Sequence, residues 1–151
     1  MYSDSRATQL PRPPLGSSDV PRYIMQVMSR PAAGREDEYN EWYQGVHLRE
    51  LVALPGFRSA RRYRHSRNLV EGDAYPYMAV YEIETDDIDA VLQGLRDAAA
   101  NGLLTMSDAL DLADTPAEVY EQFGSIVYSP GAGGSLASDA GMAAGPPKEF
   151  C

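Results

Sequence analysis

The sequence predicts a two-layer α+β domain, in which a four-stranded antiparallel sheet carries two helices on one face. Three observations lead there. Four segments of strand length begin at Arg22, Phe57, Tyr77 and Tyr120. Between the first and second, and again between the third and fourth, apolar residues recur at helical spacing. The second and third segments are joined by a polar turn instead of a helix. The order is therefore β-α-β-β-α-β, the split arrangement that places both helices on the same side of the sheet.

Taken in order, Arg22 to Ser29 has strand length and composition, and it ends where Pro31 and Gly34 punctuate the chain. Glu36 to Val46 is rich in helix formers, with acids in the first turn where the helix dipole favours them. Tyr39, Trp42, Tyr43 and Val46 form its stripe. Leu48 to Leu54 adds a short helical turn closed by Pro55-Gly56. The rest of the chain is organised around this stretch, from Asn40 to Phe57. Phe57 to His65 then alternates, with Phe57, Ser59, Arg61, Tyr63 and His65 on one face and Arg58, Ala60, Arg62 and Arg64 on the other. Arginine on both faces implies that at least one of them meets a wet pocket or an edge.

Asn68 to Pro76, containing Gly72-Asp73, reads as a turn or loop. Tyr77 to Ile83 is the third strand, with Tyr77, Ala79, Tyr81 and Ile83 on one face and Met78, Val80 and Glu82 on the other. Thr85-Asp86-Asp87 supplies cap chemistry for a helix whose stripe is Ile88, Val91, Leu92 and Leu95, stopping at Gly102. Ser107 caps a short helix through Leu112, and Tyr120 to Tyr128 is the last strand. Asp108, Asp111 and Asp114 recur every three residues. With no histidine or glycine-bearing loop among them they read as a solvated helix face, and no metal site is expected.

At 151 residues the chain holds one domain. Residues 1–21, with Pro11, Pro13, Pro14 and Pro21, read as a disordered arm, within which Pro11-Arg12-Pro13-Pro14 is a solvated segment more than a polyproline ligand. Residues 129–151 are a Gly/Ala-rich tail that cannot bury enough surface to offset its chain entropy, leaving 22–128 as the globular domain. The formal charge of -9 argues against nucleic acid and against anionic membrane surfaces as partners. Cys151, the one cysteine, cannot form a disulfide within the chain and has no setting that would activate it. The first thirty residues lack an apolar run of signal-peptide length, and no stretch approaches the ~18 apolar residues of a membrane span, so a cytoplasmic protein is expected.

The strand ending in Arg30-Pro31, the helix leading to His47, and the Leu54-Pro55-Gly56-Phe57 stop before Arg61-Arg62-Tyr63 together resemble the EthD-like branch of the dimeric α/β-barrel superfamily, over about residues 22–128. The resemblance implies a ferredoxin-like protomer whose bare sheet face packs on its twin to make a homodimeric barrel. It also implies a small-molecule pocket between sheet and helices in each subunit. The branch includes methylmuconolactone isomerase, in which the histidine at the position of His47 handles protons. The wider superfamily includes polyketide cyclases, quinone-forming monooxygenases, haem-degrading enzymes and members without an assigned activity. This chain departs from the isomerase in having no internal cysteine to partner His47.

Imidazole titrates near neutral pH and can take and return a proton, which makes His47 the candidate acid/base, with Tyr43 one helical turn before it; the bland alternative is a helix-end histidine on terminal carbonyls. Arg61 or Arg62 can hold a carboxylate or steady an enolate, and strand register decides which faces inward. The predicted catalytic set is His47, Tyr43 and Arg61, and the substrate-binding set is Trp42, Arg62, Tyr63, Tyr81 and Phe123, although each aromatic taken singly also suits a core. The expected function is proton transfer without a cofactor, as isomerase, cyclase or lyase, on an aromatic, polyketide-like or lactone substrate. The alternatives are a cofactor-free or haem-dependent monooxygenase on the same barrel, or a non-catalytic homodimeric ligand-binding protein.

Overall fold

The structure is a computed structural model that describes residues 20–133; the arm before residue 20, its proline motif, the tail beyond residue 133 and Cys151 lie outside the described residues. The chain runs β1 (Arg22–Ser29), α1 (Glu36–Trp42), a π-helical turn (Tyr43–His47), α2 (Leu48–Val52), β2 (Phe57–Arg64) and β3 (Tyr77–Glu84). It continues through α3 (Ile88–Ala100), a 3-10 turn (Leu112–Asp114), β4 (Ala117–Glu121) and α4 (Pro130–Gly133). Sheet order is β2-β3-β1-β4 with every neighbouring pair antiparallel, so the fold is ferredoxin-like α+β. The short α4 falls in the segment expected as tail.

Alternation explains which face is dry. Met25, Val27 and Ser29 of β1, with Tyr77, Ala79, Tyr81 and Ile83 of β3, are buried beneath Tyr39 and Trp42 of α1 and Val91 of α3. The opposite face carries Ile24, Gln26, Met28, Arg61, Val80 and Tyr120, which the register sets side by side. Helix α3 is capped by Asp87, whose side chain accepts from the Ala90 amide at 3.1 Å. Gly56 sits at φ +92, and a Cβ there would stand 2.5 Å from Val91 Cγ2. Only glycine suits both that backbone and that close approach to α3.

Four expectations are corrected. The helix expected to run unbroken to Val46 opens into the π turn after Trp42. In β2 a bulge between Phe57 and Ser59 moves Phe57 to the helix-covered face, with Ala60 and Arg62, and off the face of Arg61 and Tyr63. The last strand is Ala117–Glu121 instead of Tyr120 to Tyr128, because β1 begins at Arg22 and offers no partner beyond the Gln122 amide bonded to the Arg22 carbonyl at 2.7 Å. Residues 107–112 do not form a helix. Asp108 and Asp114 pair instead with Arg35 at 2.9 Å and Arg30 at 3.1 Å. Among the described residues no three His, Cys, Asp or Glu side chains are grouped to hold a metal, and no helix is long and apolar enough to cross a membrane.

Candidate functional site

The π turn decides what faces inward. The Tyr43 carbonyl accepts from the Leu48 amide five residues on, which widens the turn by one residue. On an uninterrupted helix Val46 would continue the Tyr39 and Trp42 stripe; here it is displaced outward and His47 turns in. The His47 ring stacks on Trp42 at a centroid distance of 4.6 Å and meets Tyr43 edge-on at 5.2 Å. Trp42 is itself held, since Nε1 donates to the Thr105 carbonyl at 2.7 Å. Glu50 accepts from both the amide and the hydroxyl of Thr105 at 2.7 Å, so its carboxylate is committed there and does not orient the imidazole. His47 Nδ1 is buried without a hydrogen-bond partner. Burial lowers the His47 pKa to about 4, and the charge of Glu50 offsets this only in part.

Beneath the helix, Tyr81 comes up from the centre of β3 and is fully buried. Its hydroxyl also lacks a hydrogen-bond partner. Burial raises the Tyr81 pKa far above the ordinary phenol value, and nearby Tyr43 adds to the shift without the two hydroxyls meeting the geometry of a hydrogen bond. Tyr81 therefore stays a neutral O–H donor. Tyr43 and Tyr39 are likewise pushed up by burial, and Tyr39 shares a 2.5 Å hydrogen bond with Ser29.

Arg62 enters from β2 on the same face. Its guanidinium carbon lies 4.6 Å from the Tyr43 ring centroid, 5.0 Å from Tyr77 and 5.3 Å from Tyr39. Nη2 donates to Asn40 Oδ1 at 2.7 Å, whereas Nε is buried and unpartnered. Asn40 in turn donates to the Tyr77 hydroxyl at 3.2 Å, and that hydroxyl donates to Glu36 at 2.5 Å. Beside Arg62 a cleft of about 360 Å³ is lined by Asn40, Gln44, Arg62, Tyr63, Arg64 and Tyr77.

The structure thus brings together His47, Tyr43, Trp42, Tyr81 and Arg62. It does not bring in the others. Arg61 pairs with Val80 on the opposite sheet face and is exposed, so the inward arginine of the pair is Arg62. Tyr63 is 45% exposed and reaches only the rim of the cleft, and Phe123, beyond the end of β4, is 80% exposed. Sequence reasoning passed over Tyr39, Tyr77 and Asn40 as site residues. Tyr39 stands four residues before Tyr43, and Tyr77 shares the strand face of Tyr81, so both could have been found by periodicity; Asn40 carries no such signal. A larger cleft of about 490 Å³ lies on the other face, between Arg22, Arg58, Glu84 and Tyr120. It is remote from this chemistry, and its arginines are already paired with Glu84.

No family model matches the chain, and no curated protein does. Solved structures similar to it include a candidate monooxygenase from Shewanella loihica PV-4, 15% identical over 74% of this chain and 100% of that one, with a TM-score of 0.46. An EthD family protein from Bacillus halodurans C-125 is 13% identical over 68% of this chain and 99% of its own, with a TM-score of 0.45. HapK from Hahella chejuensis is 21% identical over 72% and 98%, with a TM-score of 0.38.

Proposed function

We propose that this protein is a small-molecule enzyme of proton-transfer type, with His47 as the proton acceptor. One observation carries the reading. Among the described residues, the buried side-chain atoms without a hydrogen-bond partner are His47 Nδ1, Tyr81 Oη and Arg62 Nε, and all three belong to residues gathered around Tyr43. Buried polar groups are almost always satisfied, and leaving one unpaired costs roughly 1–3 kcal/mol. Three such atoms on residues around one tyrosine suit a ligand that supplies what they lack.

Their chemistry is complementary. A neutral imidazole nitrogen takes a proton from a carbon or phenol acid. The Tyr81 O–H and the Arg62 guanidinium then stabilise the oxygen on which negative charge develops. A base with a pKa of about 4 is always in its free form near neutrality but is a weak one. Negative charge gathering on the substrate raises its basicity in the complex, since an opposite charge favours the imidazolium. We further propose that a second copy of the chain covers the sheet face bearing Ile24, Met28, Val80 and Tyr120.

The test is a thermal-shift screen of phenolic, lactone and quinone ligands, followed by mass measurement of deuterium uptake from D₂O into each hit. Uptake catalysed by the wild type and lost in His47→Ala is the expected result. Hits that bind the wild type and exchange no deuterium would favour a binding protein instead.

A further inference from the structure

Arg62 stands apart from the other arginines. Arg22, Arg30, Arg35 and Arg58 each face a carboxylate within 3.5 Å. Among the described residues, the arginines without an acidic partner are exposed, with one exception: Arg62 is half-buried, lies over three tyrosine rings and has no carboxylate against it. The nearest acid in its network, Glu36, is separated from it by Tyr77 and Asn40. A desolvated cation without a counter-ion is costly in any protein, and it is least expected in a chain carrying -9. Three aromatic faces offset part of that cost, and one hydrogen bond to Asn40 offsets a little more.

Arg62 also lines the 360 Å³ cleft, together with a second arginine, Arg64, and with Asn40 and Gln44, whose side chains are amides. These nitrogen donors suit one kind of ligand group, an oxygen acceptor, and Tyr77 adds an aromatic wall with Tyr63 at the rim. We infer that this cleft anchors a carboxylate on an aromatic or conjugated substrate, with Arg62 as the buried anchor and Arg64 as the outer one. The inference rests on the proposed site and names its substrate class. A planar carboxylate matches the fork of a guanidinium, which can present two parallel N–H donors to its two oxygens.

The test titrates 1-hydroxy-2-naphthoate and its uncharged amide, 1-hydroxy-2-naphthamide, into the full chain by calorimetry. A preference of about tenfold for the acid is expected, the worth of one charge-assisted hydrogen-bonded pair. Arg62→Gln should remove that preference, Arg62→Lys should keep part of it, and His47→Ala should leave it in place. Should Arg62→Gln fail to fold, Arg64→Gln carries the test, because its side chain is exposed, and it should lower the preference. Equal affinity for acid and amide, or a preference that survives every arginine change, overturns the carboxylate anchor. Neither result touches the proton-transfer reading, which deuterium uptake judges separately.

Discussion

Two neighbouring arginines on one strand have opposite fates. Arg61 points to the uncovered sheet face, where it is solvated beside Val80, while Arg62 points under the helix and lies across Tyr39, Tyr43 and Tyr77. The side chains are identical, so the difference is made by one step of strand alternation and by what each face has above it. On the covered face unpaired polar atoms collect around a buried aromatic cluster. On the other, Ile24, Tyr63 and Tyr120 are over a third exposed and, among the described residues, no buried polar atom goes unsatisfied. The proposed chemistry belongs to the first face and the proposed association to the second.

The largest expected effect separates the faces by stability. Tyr81→Ala should cost about 3–5 kcal/mol in denaturant unfolding, as for other large buried aromatics, whereas Tyr120→Ala should cost under about 1 kcal/mol in the isolated subunit. Should Tyr120→Ala instead convert a dimer to monomers in light scattering, the second face is the interface between copies.

A second effect, roughly 3 kcal/mol, comes from acid. Above pH 6.5 His47 is neutral both folded and unfolded. Between pH 6.5 and about 4 only the unfolded chain takes up the proton, so stability falls as pH falls, and below about 4 the loss is complete. Urea unfolding across that window should show the slope in the wild type and lose it in His47→Gln.

How much of this was legible depended on local regularity. Strand β1, the Pro55-Gly56 stop and the α3 stripe obey simple periods, and they lie where the sequence places them. What failed to show were two one-residue irregularities. The bulge after Phe57 exchanges the faces of β2, and the π turn at Tyr43–His47 replaces Val46 with His47 on the inner side. Neither has a composition cue, yet between them they decide which arginine and which helix residue enter the site. The pairing of β4 was hidden for a different reason, since its length is set by where β1 begins.

The smallest effect sharpens the meaning of the orphaned hydroxyl. Tyr81→Phe deletes a buried O–H that bonds to nothing, so it should leave stability unchanged or raise it by about 1 kcal/mol, while weakening any ligand that the wild type holds. A loss of stability would mean that the hydroxyl is structural.

The most direct measurement is an NMR titration of the His47 ring in the ligand-free protein. A midpoint near 4 is the expected result, because the ring is desolvated between Trp42 and Tyr43 and its Nδ1 has no partner. A midpoint at or above the ordinary value of about 6.5 would mean that water or an acid already serves that nitrogen, and His47 would not be the poised acceptor on which the proposed function rests.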